Sequence, residues 1–463
     1  MRKKLYQLGS VGWMIGVSAL ILFACSSLRH ELFQSTALDL AIFDQAVYLI
    51  SQGEQPISSL IGFHILGDHA SWIFYPLALL YKIYPTVYWL FAVQATALAL
   101  GALPTWHLAR QARLKESQAV AIAFVYLLYP VVFNANLFDF HPEVIAVPLL
   151  LAAVLAARLG QLGWFCLSIF LALGCKEILS LTVAAMGVWL LLFEKRRLYG
   201  VIALCAGVVW FLIATQVIIP FFNSAEATAI GRYSYLGNSV LDIAKNIAFQ
   251  PGLIFVKAFS LDNLAYLVLL LSPVIWGLSL QGIKPLVGAV PCLALNILAD
   301  YQPQKDLIYQ YSLPALPFLL LAVISSLAAG KGWLQNKRAI ILWSLVAFLS
   351  LAKFTYFGGR YLAYIDTWQA TREAIAQVQT QGSVYTTVKI APHLSHRKLI
   401  TLTNADSPPV NLNVFDYILL NVRHPGWLSN QEFAISLVNQ LKNNQQFKLK
   451  YQRDDVYLFV QLS

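Results

Sequence analysis

Two aspartates, Asp39 and Asp44, stand among aliphatic and aromatic residues in the stretch TALDLAIFDQAVYLI, residues 36–50. A carboxylate in such a place can act as a general base or hold a divalent cation. On a continuous α-helix these two side chains point about 140° away from each other, so they cannot both face one pocket. Each also has a structural alternative: Asp39 could cap the start of a helix, and Asp44 could face lipid headgroups or a partner side chain.

Two further motifs place an acid beside a base. GDHAS brings Asp68 and His69 together, a pair that could bind a metal ion or orient a base, although Asp68 could equally cap a helix. CKE holds Lys176 beside Glu177. That lysine could neutralise a phosphate group, or the two side chains could form an ion pair within a tight turn.

The motif DFHPEV is denser in polar residues. Pro142 suits the first turn of a helix, and Glu143 suits its positive end, so part of this motif is ordinary helix-start chemistry. His141 is not explained in this way. It therefore joins the candidate site residues.

A fourth polar stretch, DYQPQKDLIYQYSLPALPFL, begins at Asp300 and contributes Lys305. Anchoring at the membrane interface explains Tyr309 and Tyr311 in this stretch more simply than catalysis does. No P-loop, dinucleotide-binding glycine motif, HExxH or GxSxG motif occurs in the chain. A cytosolic nucleotide site is therefore not expected.

The composition identifies the setting of these residues as a membrane. Of the 463 residues, 59% are hydrophobic and 12% are charged, and the mean hydropathy is +0.64, far from the balance of a soluble protein. The net charge of +10 comes from short basic clusters between apolar spans, which favours membrane orientation over nucleic-acid binding. The five cysteines lack metal-ligand spacing.

The apolar segments predict about eleven membrane spans. The first is an uncleaved N-terminal span within residues 1–28, which we prefer to a signal peptide. The others lie at about 86–109, 118–133, 143–158, 162–176, 178–193, 199–221, 263–281, 284–300, 311–329 and 339–357. With the N-terminus in the cytoplasm, the short inside loops are consistently basic, in accordance with the positive-inside rule.

The same alternation places residues 29–85, residues 222–262 and the tail from 358 outside the membrane. It also sorts the ionisable residues to the outer surface, where they suggest a shared external site. These residues are Asp39, Asp44, Asp68, His69, Asp139, His141, Glu143, Lys176, Glu177, Asp300, Lys305 and Asp306.

Residues 29–85 and the tail from 358 both have recognisable patterns of secondary structure. Two apolar stretches of residues 29–85, DLAIFDQAVYLIS and ASWIFYPLALLYKIY, are too short to span and suit helices in the interface plane. The tail alternates the strand-like segments SVYTTV, KLITLT, FDYILLNV and VYLFVQ with the amphipathic QEFAISLVNQLKN. We therefore predict a polytopic α-helical membrane domain over 1–357 and a small extracytoplasmic α/β domain over 358–463.

Several motifs carry a resemblance when taken in order. DLAIFDQAVYLISQG, GDHASWIFYPLALLYKIYP, FHPEVIAVPLLL, CKE, QYSLPALPFL, SVYTTVKIAPHLSHRKLI and FDYILL resemble a bacterial membrane family of unknown function, number 2079 in its series. That family is similar to the GT-C glycosyltransferases. The GT-C superfamily has many spans, interfacial helices and an acidic residue in its first outer loop, and often a C-terminal outer domain.

The resemblance implies inverting transfer of a sugar from a polyprenyl-phosphate carrier to an acceptor hydroxyl, outside a bacterial plasma membrane. Asp39 best matches the base of that superfamily, being the first aspartate after the first span, with Asp44 as the second choice. Many GT-C enzymes have an acidic pair where this chain has Asp39 and Leu40. A divalent cation is one conceivable cofactor.

The substrate side of such a site would use the remaining candidates. Lys176, Arg232 and Lys305 are candidates for the carrier phosphate, and His69 and His141 could bind phosphate, bind a metal ion or relay a proton. The full set of expected substrate-binding residues is Asp68, His69, His141, Glu143, Lys176, Glu177, Arg232 and Lys305.

Two other functions compete with glycosyl transfer. A transporter or flippase of a lipid-linked or anionic substrate would need polar residues at mid-span, whereas these spans are nearly clean. A non-catalytic membrane scaffold, whose outer domain binds a partner, would tolerate replacement of Asp39. The expected partners in the preferred interpretation are membrane lipid and the sugar carrier, with no nucleic acid.

Overall fold

The computed structural model describes residues 2–223 and 228–462. The chain divides into two compact units, each made of separate parts of the sequence. The first unit contains residues 1–23, 66–73 and 92–353. The second contains residues 24–65, 74–91 and 354–463.

The first unit is helical throughout its described residues. The helix Arg2–Glu31 begins in it, and most of the helix Tyr88–Leu100 belongs to it. Its other α-helices are Leu66–His69, Ala102–Gln111, Glu116–Leu127, Pro130–Phe138, Glu143–Leu159, Leu162–Leu173, Leu179–Leu192, Arg197–Ile213, Ile219–Phe222, Val240–Phe249, Pro251–Ala258, Leu261–Leu271, Val290–Leu298, Leu316–Ala328 and Lys337–Leu351. A π-helical turn covers Ala214–Ile218, and short 3₁₀ helices cover Thr228–Tyr233, Ile275–Gly277, Lys284–Ala289, Gln302–Lys305 and Gln310–Ala315.

Membrane-spanning length separates these helices into groups. Five are long and apolar enough to cross a membrane: Gly9–Glu31, Tyr88–Gln111, Glu116–Phe138, Arg197–Phe222 and Gln310–Ala328. Two bent pairs raise the number to seven if each pair is one span: Pro251–Ala258 with Leu261–Leu271, and Lys337–Leu351 with Phe354–Tyr361. Every predicted apolar segment corresponds to at least one helix. The count of about eleven stays a prediction because the shorter apolar helices fall below the length of a straight crossing.

Close helix packing fixes one hairpin of the first unit. The helices Leu179–Leu192 and Arg197–Ile213 approach so closely that a Cβ atom on Gly187 would lie 2.5 Å from the Leu204 amide nitrogen. A Cβ on Gly207 would lie 2.4 Å from the Ser180 carbonyl oxygen. Small residues permit this approach between helices. The turn that carries Lys176 and Glu177 directly precedes this closely packed hairpin.

The second unit combines helices with two β-sheets. Strands β1 (Ile57–Ser58) and β2 (Phe63–His64) form an antiparallel pair. The larger sheet contains β3 (Val384–Thr386), β4 (Ile400–Leu402), β5 (Tyr417–Asn421), β6 (Phe447–Arg453) and β7 (Val456–Gln461) in the order β4-β3-β5-β7-β6. Strand β3 is parallel to β4 and β5, whereas β7 is antiparallel to β5 and β6. The α-helices are Ile42–Ser51, Phe74–Ile83, Phe354–Tyr361, Trp368–Ala376 and Gln431–Lys442, beside a π-helical turn at Ala37–Ala41 and 3₁₀ turns at Ala391–His393 and Leu412–Val414.

Alternate residues of β5 face opposite sides of the sheet, as strand geometry requires. Tyr417 and Leu419 share a core with the helix Trp368–Ala376, and Ile418 and Leu420 share another with the helix Gln431–Lys442. The four predicted strands and the predicted helix all occur. Strand β6, FKLKYQR, was not predicted, because most of its residues are polar and exposed.

The compact units differ from the predicted domains in how they group residues 29–85. Residues 24–65 and 74–91 belong to the same unit as 354–463, not to the helical unit. The physical reason is a common core: Ala37 and Ala41 are fully buried together with Val384 and Val388. The boundary near residue 357 stays a prediction.

Candidate functional site

A cavity of about 110 Å³ lies within the first unit. Its walls combine acids, bases and amides with apolar side chains. The lining residues are His69, Glu143, Lys176, Glu177, Ile178, Thr182, Arg232, Tyr233, Cys292, Leu295, Asn296, Gln304, Gln310, Tyr311 and Pro314. Five of the predicted site residues are therefore brought together: His69, Glu143, Lys176, Glu177 and Arg232.

Helix ends and turns present these charged side chains. His69 ends the helix Leu66–His69, and Glu143 is the first residue of the helix Glu143–Leu159. Backbone hydrogen bonds fasten the segment around His69 to the turn that carries Lys176 and Glu177. The Glu177 amide donates to the His69 carbonyl at 3.2 Å, and the Ile73 amide donates to the Gly174 carbonyl at 3.0 Å. Charges that are far apart in the sequence are thus held side by side.

Lys176 and Glu143 form a buried ion pair at the cavity wall. The Lys176 Nζ lies 2.8 Å from Glu143 Oε1, and the two side chains are 12% and 5% exposed. Opposite charges at this distance favour the ionised forms of both groups. Lys176 therefore remains a cation, and the self-contained pair between Lys176 and Glu177 that the sequence left open is not the main contact.

His69 lies between two acids. Its Nδ1 is 3.2 Å from Glu177 Oε2, and its Nε2 is 3.6 Å from Asp68 Oδ2. Burial would lower the pKa of His69, and the positive charge of Lys176 acts in the same direction. Asp68 and Glu177 outweigh them, so the pKa of His69 lies above its ordinary value of 6.5. A protonated His69 can donate a hydrogen bond to Glu177 and form an ion pair with Asp68.

We expect this arrangement to make stability depend on pH with a defined sign. A histidine with a raised pKa in the folded state stabilises the fold fully below pH 6.5, its ordinary pKa, and loses that contribution as pH rises through the folded-state pKa. The loss of melting temperature caused by His69→Gln should therefore be largest in acid and should shrink above neutral pH. Thermal unfolding of both proteins from pH 5 to pH 9 measures this difference.

His64 is the matched control for that measurement. Burial lowers the pKa of His64 below its ordinary value, so His64→Gln should relieve a cost that wild type pays in acid. A loss of melting temperature in His69→Gln that grows with rising pH would contradict the assignment of a raised pKa to His69.

Arg232 reaches the cavity from the 3₁₀ helix Thr228–Tyr233. Its guanidinium carbon lies 4.5 Å from the ring centroid of Tyr301 and 5.3 Å from that of Tyr311. Its Nη1 donates to Gln304 Oε1 at 3.3 Å. All three contacts are neutral, so they hold the side chain without cancelling its charge. Tyr311, which the sequence interpretation gave to membrane anchoring, is thus part of the cavity wall.

Three other predicted substrate-binding residues do not line the cavity. Asp68 lies behind His69, with its Oδ2 3.6 Å from His69 Nε2. His141 is buried, with its Nδ1 3.4 Å from the Asp139 carbonyl oxygen. Lys305 is also buried, and its pKa is lowered by burial and by Lys257. A role for these residues in substrate binding stays a prediction.

Asp39 lies in the second unit, in the π-helical turn Ala37–Ala41. The N-cap of that turn is Thr36, so Asp39 is not the cap that its position suggested. The Thr36 hydroxyl donates to Asp39 Oδ2 at 2.9 Å, and the side chain is half-buried. The π-helical turn also means that Asp39 and Asp44 are not on one continuous α-helix.

Asp44 is 1% exposed and sits in a polar cluster of the second unit. The hydroxyls of Tyr81 and Ser395 both donate to its carboxylate, and His396 Nε2 lies 3.1 Å from its Oδ2. The His396 ring stacks on Tyr48, with centroids 4.7 Å apart. Burial would lower the pKa of His396, but the charge and hydrogen bond of Asp44 raise it. Asp44 thus faces partner side chains, one of the two structural alternatives.

The described residues show no metal centre. Within residues 2–223 and 228–462, no three His, Cys, Asp or Glu side chains are grouped so that they could hold a metal ion. The cavity of the first unit is lined by two carboxylates and one histidine. Glu143 forms an ion pair with Lys176, and Glu177 is paired with His69.

Sequence reasoning missed several members of both clusters. In the cavity, the missed polar residues are Thr182, Tyr233, Cys292, Asn296, Gln304 and Gln310. Asn296 could have been found, because an amide inside an apolar helix calls for a partner or a function. Ser395 carries no comparable signal, since its partner Asp44 is 351 residues away.

Comparisons with known proteins agree with this architecture. The sequence model of a family described as "Predicted membrane protein (DUF2079)" matches residues 29–458. Two crystal structures of ArnT from Cupriavidus metallidurans are similar over 98% of each chain. The structure bound to undecaprenyl phosphate has 12% identity and a TM-score of 0.56, and the apo structure has 11% identity and a TM-score of 0.58. No curated protein matches the sequence. The fold of this chain is therefore similar to that of ArnT.

Proposed function

This chain belongs to the DUF2079 family of predicted membrane proteins, and from its GT-C-like fold we propose that it is a membrane glycosyltransferase. The reaction is the inverting transfer of a sugar from a polyprenyl-phosphate carrier to an acceptor hydroxyl. It takes place at the outer face of a bacterial plasma membrane, with the N-terminus in the cytoplasm and residues 358–463 outside. The ArnT structure bound to undecaprenyl phosphate supports a lipid phosphate as the carrier.

The observation that carries the proposal is the convergence of basic side chains on the cavity of the first unit. Lys176, Arg232 and His69 come from three separate parts of the chain and meet there. The contacts of the Arg232 side chain with Gln304, Tyr301 and Tyr311 are neutral, so none of these three competes with an anionic ligand for its charge. Cations held in a partly buried site bind a phosphate well and stabilise it as a leaving group. We assign the carrier phosphate to this cavity.

Asp39 is the proposed general base. Base catalysis requires a carboxylate with an oxygen that can accept the proton of the acceptor hydroxyl. Asp39 is half-buried, so an acceptor hydroxyl can approach it, whereas Asp44 is 1% exposed and receives hydrogen bonds from Tyr81, Ser395 and His396. This contrast supports the choice that the resemblance implies, in which Asp39 is the general base and Asp44 is the second candidate.

Binding of undecaprenyl phosphate tests the phosphate assignment. Loss of a charge-assisted contact costs about 1.5–3 kcal/mol, so Arg232→Gln should weaken binding to protein in nanodiscs by about ten- to a hundredfold. Arg360→Gln is the matched control, because Arg360 also stacks on a tyrosine, Tyr356, at 4.1 Å but does not line the cavity.

Binding and turnover together decide the proposal. Equal affinities for wild type and Arg232→Gln would remove the phosphate from this cavity. Failure of wild type to turn over any polyprenyl-phosphate sugar would end the glycosyltransferase proposal. Movement of the intact carrier across proteoliposomes would then favour the flippase alternative.

A further inference from the structure

The cavity of the first unit contains two buried hydrogen-bond acceptors without partners. Glu143 Oε2 and Gln310 Oε1 each lack a hydrogen-bond partner among the described residues, and both residues line the cavity. Each of these two residues is only 4% exposed. Leaving a buried acceptor unpaired costs free energy, so the two atoms need an explanation.

Other polar groups of the wall satisfy one another. Gln304 Nε2 donates to the Tyr233 hydroxyl at 3.0 Å, and Gln304 Oε1 accepts from Arg232 at 3.3 Å. Asn296 Nδ2 donates to the Tyr311 carbonyl at 3.2 Å. The carboxylate of Glu177 is engaged by His69. Against this satisfied background, the unpaired oxygens of Glu143 and Gln310 mark the part of the wall that is incomplete without a ligand.

The two unpaired oxygen atoms require a different kind of ligand from the cations of the same cavity. An ionised phosphate ester offers acceptors only, so it suits Lys176 and Arg232 but cannot satisfy Glu143 Oε2 or Gln310 Oε1. A hydroxyl group both donates and accepts. It could donate to Glu143 Oε2 while accepting from Lys176, whose Nζ already contacts the other oxygen of that carboxylate at 2.8 Å.

We infer that Glu143 and Gln310 bind the sugar of the carrier, each accepting a hydrogen bond from one of its hydroxyl groups. This inference rests on the proposed function and deepens it: the cations of the cavity recognise the phosphate, and the two unpaired acceptors recognise a neutral polyhydroxyl headgroup. Glu143 and Gln310 are then specificity-determining residues, because a carrier without the sugar leaves both acceptors unpaired.

The test compares carriers with and without a sugar. The probes are undecaprenyl phosphate, its glucosyl, galactosyl and mannosyl esters, and its glucosaminyl ester, each titrated onto protein in nanodiscs. Wild type should bind at least one neutral hexosyl ester more tightly than undecaprenyl phosphate. Gln310→Leu should remove about three- to tenfold of that advantage, the value of one hydrogen bond between neutral groups, and leave the affinity for undecaprenyl phosphate unchanged.

Two further variants sharpen the comparison. Glu143→Gln should also remove the advantage of the sugar, but it breaks the ion pair with Lys176, so Gln310→Leu remains the decisive variant if Glu143→Gln fails to fold. Gln111→Leu is the matched control, because Gln111 Oε1 is also buried and unpaired but does not line the cavity. It should bind every probe as wild type does.

The outcomes distinguish the two proposals. If undecaprenyl phosphate binds but Gln310→Leu changes nothing, or weakens both classes of probe equally, the acceptors hold water alone and the inference fails while the proposed function stands. A gain confined to the glucosaminyl ester would also overturn it, since an ammonium group would then be the ligand. If no carrier binds wild type at all, the proposed function fails and takes this inference with it.

Discussion

Replacement of Asp39 by asparagine should lower the rate of sugar transfer by about 10²- to 10⁴-fold, the usual contribution of a general base. The amide keeps the shape of the side chain and can still accept from Thr36, which donates to Asp39 at 2.9 Å, but it cannot take a proton. The initial rate of transfer from a polyprenyl-phosphate sugar in nanodiscs measures the effect. Carrier affinity, measured in parallel, should stay unchanged.

Asp39→Glu and Thr36→Val complete this experiment. Glutamate restores a carboxylate and should recover part of the rate, whereas loss of the Thr36 hydroxyl should cost less than loss of the base, because it only orients the acid. A wild-type rate in Asp39→Asn would exclude Asp39 as the base. If only Asp44→Asn were inactive while folded, the second choice would be correct; if neither mattered, the scaffold alternative would gain.

Replacement of Asp44 by alanine should destabilise the second unit. The change removes a carboxylate that is 1% exposed and strands its three partners, Tyr81, Ser395 and His396. Removal of one partner from a buried, charged network costs on the order of 3 kcal/mol. The loss of stability is measured as a change in the free energy of unfolding, with proteolysis of the C-terminal region as the probe of unfolding.

Asp406→Ala is the control for Asp44→Ala, since Asp406 is an exposed aspartate of the same unit and its loss should stay within about 0.5 kcal/mol. Asp44→Asn should be milder than Asp44→Ala, because its amide oxygen still accepts from one hydroxyl. An Asp44→Ala protein as stable as wild type would show that the buried cluster contributes nothing to the fold.

The helices could be predicted from the sequence because a helix that is buried in lipid or protein appears in the sequence as a run of apolar residues. Every predicted run corresponds to a helix. Strand alternation likewise revealed β5, whose neighbouring residues face two different cores. Strand β6 escaped because it lies at the edge of its sheet, where exposed polar residues weaken the alternation.

Residues of the site could be predicted from the sequence only where they are charged. Lys176 and Glu143 are costly to place in an apolar chain, so their presence pointed to a partner or a function. Gln310 is uncharged and gave no such warning, although its oxygen is unpaired in the cavity wall. The pairing of Asp44 with Ser395 is a property of tertiary structure alone, since nothing local to either residue reveals the other.

The long separation between Asp44 and its partners has a consequence for biosynthesis. Ser395 follows Asp44 by 351 residues, which corresponds to about 20–70 s of translation at about 5–20 residues per second. Over that interval the segment around Asp44 has left the ribosome, but Ser395 and His396, whose hydroxyl and imidazole contact Asp44, have not yet been synthesised. A polypeptide that stops before Ser395 would therefore carry an exposed acid and an unfinished core, which makes it a recognisable substrate for quality-control proteases.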